Sequence, residues 1–79
     1  MLVQITAGVI AGAQERAGGR FTLNDAARII VDKVALTESV SRQKVDSLMF
    51  AAQVAEALGL PSAQCLGIVQ AVLRMEAAQ

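Results

Sequence analysis

The chain has 79 residues, with seven basic and seven acidic side chains, one cysteine, and no histidine, tyrosine or tryptophan. That length predicts a single domain over 1–79, because two cores would leave each half too little buried surface to offset its conformational entropy. A formal net charge of zero removes the phosphate-neutralising term that dominates sequence-independent nucleic-acid binding, although local patches remain open. Hydrophobic residues make up 54% of the chain and aromatics 3%, Phe21 and Phe50, so the core must be aliphatic.

The same inventory bears on chemistry. Without histidine the usual general base and most nucleophile–base pairs are missing. The carboxylates Asp25, Asp32, Glu38, Asp46 and Glu56 each have a nearby basic residue or a helix-start position that explains them as surface groups. An enzyme is not expected, and neither is a cofactor. One cysteine and no histidine offer no basis for a metal site. Cys65 falls on an apolar helix face, where a buried, inert thiol is the simpler reading. The turn "AGGR" at 17–20 is a helix connector rather than a phosphate cradle. The uncharged stretch from Met1 to Gln14 is too short and too polar to cross a bilayer. It also lacks the charged start and cleavage site of a signal peptide. The expected location is the cytoplasm, with no membrane association.

Three breaks punctuate the chain: Gly18-Gly19, the Thr/Ser cluster at 37–41, and Gly59-Leu60-Pro61. They predict an all-α compact bundle of about four helices, near 2–17, 23–36, 41–58 and 62–77. The third helix is expected to be central, and the last two to form a tight hairpin. In the first segment Leu2, Ile5, Val9 and Ala13, with Val3 and Ile10 beside them, follow helical spacing and read as the core face. Gly8, Ala11 and Gly12 lie opposite, in the small-xxx-small pattern "GVIAG". That face suits close approach by another helix, as in a dimer seam; equally, the helix tolerates two glycines at about 1 kcal/mol each. "LVQIT" alternates as a short strand would, but no second strand candidate exists to pair with it.

The second segment opens at "TLND", where Thr22 and Asp25 have capping-box spacing. Leu23, Ala27, Ile30, Val31 and Val34 form its apolar stripe, and Asp25, Arg28 and Asp32 a solvated face where they can pair. Ile29 and Leu36 project on the charged side. They offer a second contact surface, unless a loop or another helix covers them. The third segment is apolar almost all round, with Val45, Leu48, Ala52 and Ala55 on one side and Phe50, Val54, Ala57 and Leu58 on the other. Arg42, Asp46, Gln53 and Glu56 form its polar stripe, and Met49 sits within that stripe. The fourth segment opens at Ser62 as N-cap. It reads as burying Cys65, Leu66, Ile68, Val69, Val72 and Leu73, leaving Ala63, Gln64, Gly67, Gln70, Ala71 and Arg74 outside.

The stretch "QVAEALGLPSAQCLGIVQAVL", residues 53–73, resembles bacterial helix-turn-helix motifs. Ala55 is small where the helices touch, Gly59 stands at the turn, and Val54, Leu58, Leu60 and Ile68 are apolar where the pair would pack. The resemblance implies a second helix lying in the DNA major groove. Ser62, Gln64, Gln70 and Arg74 would then face the nucleic acid, the glutamines addressing adenine and Arg74 a phosphate. Most of the remaining outward positions are Ala or Gly, which read nothing.

Two functions from different classes follow. The first expectation is a small protein-binding regulator or adaptor acting as a homo-oligomer, a dimer, through Ile29, Leu36, Met49, Gly8 and Gly12. The alternative is a helix-turn-helix transcriptional regulator binding DNA through Ser62, Gln64, Gln70 and Arg74. A structural subunit of a larger assembly is a third reading without a mark of its own.

Overall fold

The structure, a computed structural model, describes residues 2–78. Its order is α1 (Leu2–Ala17), a 3-10 turn (Gly18–Arg20), α2 (Leu23–Ser41), α3 (Ser47–Ala57) and α4 (Ser62–Ala77). The fold is an all-α bundle of four helices. "LVQIT" is helical, within α1. No described helix is long and apolar enough to cross a membrane.

Local chemistry explains most of the boundaries. At the start of α2, the Thr22 hydroxyl accepts from the Asp25 amide at 3.2 Å and the Thr22 amide donates to the Asp25 carboxylate at 2.9 Å, completing the box. Asp25 is therefore a cap. At the end of α3, the Gly59 amide donates to the Glu56 carbonyl at 2.9 Å and the Leu60 amide to the Ala55 carbonyl at 3.4 Å. With Gly59 at φ +72, this is a Schellman stop, which needs a residue free to turn left-handed. The Pro61 carbonyl then accepts from the Gln64 and Cys65 amides and starts α4. The expected cap moves by one residue: Pro61 is the N-cap, without a side-chain hydrogen bond, and Ser62 is the first residue of the helix.

The region between α2 and α3 differs from the sequence reading. The Thr/Ser cluster does not end the second helix at 36; α2 continues to Ser41. Ser41 Oγ donates back to the Thr37 carbonyl at 2.8 Å, a bond that lets a hydroxyl side chain remain inside a helix. Arg42, left-handed at φ +59, provides the stop, and its amide donates to the Glu38 carbonyl at 2.8 Å. The Glu38 carboxylate reaches forward to the Val45 amide at 2.8 Å and pins the connection. The third helix starts at Ser47 rather than 41, with Asp46 as its cap accepting from the Met49 amide at 3.1 Å.

The core joins Ile10 of α1, Ala27, Ile30 and Val34 of α2, Phe50, Ala51, Val54 and Ala55 of α3, and Ile68, Ala71 and Val72 of α4. Alanines hold six of its fourteen apolar positions, so helix backbones come close where they cross. The α2–α4 contact is the most extensive; α2 and α3 each touch all three other helices, whereas α1 and α4 do not approach each other at backbone level. The centre is thus shared by α2 and α3. Nor is α3 buried all round: Leu48, Met49 and Ala57 are exposed and Val45 precedes the helix. Thr6 is the one buried polar side chain, and its hydroxyl finds no partner among the described residues.

Candidate protein-binding surface

On α1 the inward residues are Thr6, Ala7 and Ile10. Ile5 and Val9, assigned to the core from their spacing, are instead 52% and 39% exposed. They share the outer side with Gly8. A methyl added at Gly8 would meet nothing within 4 Å, and Gly8 and Ala11 border a shallow depression beside Ala57 and Leu58. Gly12 is less open, since an added methyl would lie 3.3 Å from the Arg16 guanidinium, folded back over it one turn away. The small-residue face is therefore open at Gly8 and covered at Gly12.

On α2, Ile29 is half-buried and packs against the core. Leu36 stays 57% exposed, with Val40, one turn further along the same side, at 77%. Met49, in the first turn of α3, is 58% exposed. Leu36, Met49 and Gly8 thus stand free on three different helices.

The largest departure concerns α4. Leu66 and Leu73 point outward at 57% and 53% exposure, while Ala71 is 1% exposed. Gly67 is half-buried, and a methyl added there would come within 2.7 Å of the Leu23 side chain. The helix is rotated so that Gly67 meets Leu23 of α2 and Ala71 is buried. Its outer side carries Ala63, Leu66, Gln70, Leu73 and Arg74. Gln64 and Gln70, six residues apart, differ by about 120° around the axis. Ser62, Gln64, Gln70 and Arg74 are all exposed, but Gln64 stands over a cavity between helices rather than on the leucine side.

That cavity, of about 380 Å³, is lined by α1 at Ile10 and Gln14, the α2 entry at Phe21, Thr22, Leu23 and Ala26, the α3–α4 turn at Leu58 and Leu60, and α4 at Gln64 and Ile68. Cys65 donates to the Leu60 carbonyl at 3.4 Å in the same turn and is half-buried rather than sealed in. No group of three or more potential metal ligands occurs among the described residues.

Comparison with protein-family models, curated proteins and solved structures finds no match. The functional reading therefore stands on the chain's own residues. Ile5, Val9, Val40, Leu66 and Leu73 belong to the exposed apolar set, yet spacing alone does not identify them. A sequence signal existed only for α4, where Gly67 and Ala71, four apart, mark a side on which a neighbouring backbone can come close.

Proposed function

We propose that the chain is a small protein-binding regulator or adaptor that acts as a homo-oligomer, a dimer, through its exposed apolar helix faces. The observation that carries this reading is the outward pair Leu66 and Leu73 on α4, aliphatic where a DNA-reading helix needs donors and acceptors. Surface area adds support. The isolated chain exposes 5165 Å² for 8.2 kDa, about 600 Å² more than a monomer of that mass usually does. A standard interface covers about 800 Å² per partner.

Sedimentation velocity in the micromolar range tests the proposal, with a dimer as the expected species. Leu66→Glu together with Leu73→Glu should give a helical monomer. Gly8→Ala, whose added methyl meets nothing within 4 Å, should lower association only if the α1 face takes part. A monomer at every concentration would end the proposal. Retention of DNA fragments at low salt, lost in Arg74→Ala, would favour the helix-turn-helix alternative in its place.

A further inference from the structure

We propose that the cavity between α1 and α4 binds a small uncharged aliphatic molecule carrying one hydroxyl or amide end. Its volume, about 380 Å³, falls at the lower end of the range for small-molecule sites, roughly 300 to 1,000 Å³. It exists because α1 and α4 share no backbone contact, so a gap remains where the end of α1 faces the start of α4. Ile10 and Ile68 form the fully buried floor, Phe21 and Leu58 the half-buried walls, and Gln14 and Gln64 the exposed mouth.

The occupant follows from these walls. No charged residue lines the cavity, so an ion would leave water without gaining a partner, an unfavourable exchange. Ile10, Phe21, Leu58 and Ile68 offer an aliphatic chain apolar surface to cover, beside the polar side chains of Thr22, Gln14 and Gln64. A partner's helix, about 10 Å across, cannot enter a space of this size, whereas a single aliphatic chain can. Gln14 and Gln64 put two carboxamides at the rim from opposite helices. They are suited to one hydrogen-bonding end, as small-molecule sites place few polar groups on an apolar wall. The site uses none of Leu66, Leu73, Ile5 or Val9 and is independent of self-association.

The test is an amide-resolved NMR titration of the full chain with straight-chain primary alcohols from butanol to decanol. Saturable shifts should centre on Ile10, Phe21, Leu58 and Ile68. Affinity should rise about fourfold per added methylene, then level off once the cavity is full. Ala26→Leu, which extends a wall residue into the space, should abolish binding while keeping the helical spectrum. Gln64→Trp, at the exposed mouth, should block entry even if Ala26→Leu fails to fold. Non-saturating shifts, shifts centred on Leu66 and Leu73, or binding unaltered by both variants would overturn the proposal. So would decanoate binding as well as decanol, or cavity resonances that move on dilution as a second copy leaves. Loss of alcohol binding alone would leave the sedimentation result untouched.

Discussion

Helices α2 and α4 form the most extensive contact in the bundle, yet they orient their side chains by different rules. In α2 the apolar stripe and the buried side coincide beyond the first residue: Ala27, Ile30, Val31 and Val34 are inside with Ala26, Leu23 at the helix start is 38% exposed, and Asn24, Asp25, Arg28 and Asp32 are outside. In α4 the inside is Ile68, Ala71 and Val72, and two leucines are left in solvent. The difference lies in what marks the outer face. Charged residues across α2 hold that side in water, because burying them unpaired is costly. Between Ser62 and Leu73 α4 has no charged residue, so fit against α2 sets its rotation, and the fit favours Gly67 and Ala71.

The largest effects should show the two helices as equals in the core. Ile30→Ala and Ile68→Ala each empty a fully buried site and should cost about 2–5 kcal/mol, enough to unfold much of a domain this size in a urea titration. Unequal losses would mean that one helix packs more loosely than the other. The next test separates small residues at contacts from small residues outside. Ala71→Leu, at 1% exposure, should lose roughly 1–3 kcal/mol by overpacking. Ala35→Leu on the exposed side of α2 should stay within about 0.5 kcal/mol. If thermal melts rank them the other way, the rotation described for α4 is wrong.

Capping gives a smaller contrast. Thr22→Ala removes a complete box and should cost about 1 kcal/mol, whereas Ser62→Ala, at a helix start without a side-chain cap, should be nearly neutral by chemical denaturation. Smallest of all, Leu66→Gln and Leu73→Gln should change the stability of the dissociated chain by less than about 0.5 kcal/mol. A larger loss in dilute samples would place these leucines inside the fold.

Much of the architecture was legible locally. The number of helices, the Thr22 box and the Gly59–Pro61 corner all follow from residues within a few positions of each other. Thr37 and Ser41 misled because hydroxyl residues both break and decorate helices, and the choice depended on the Ser41 bond to the Thr37 carbonyl and on the Glu38 reach to Val45. The candidate surface was legible only in part. Leu36 and Met49 stood out because they interrupt polar stripes, and both are exposed. Ile29 carried the same mark and is half-buried against the core. Ile5 and Val9 carried no mark, since their spacing fits a core face as well as an outer one, and for Leu66 and Leu73 the sole sign was the spacing of Gly67 and Ala71 on another side of α4.

The sequence by itself determined the number of helices, the Thr22 box and the Gly59–Pro61 corner, because these are settled within four or five residues. It also determined the absence of histidine, and with it the catalytic and metal chemistry a histidine would supply. The tertiary structure alone decided how each helix is rotated about its axis. In a chain whose core is nearly half alanine, the contact energy depends on how closely backbones approach, and large aliphatics at the same helical spacing can be left outside. It alone also decided that α1 and α4 stand apart and leave a cavity, a consequence of which pairs of helices meet rather than of any residue in them.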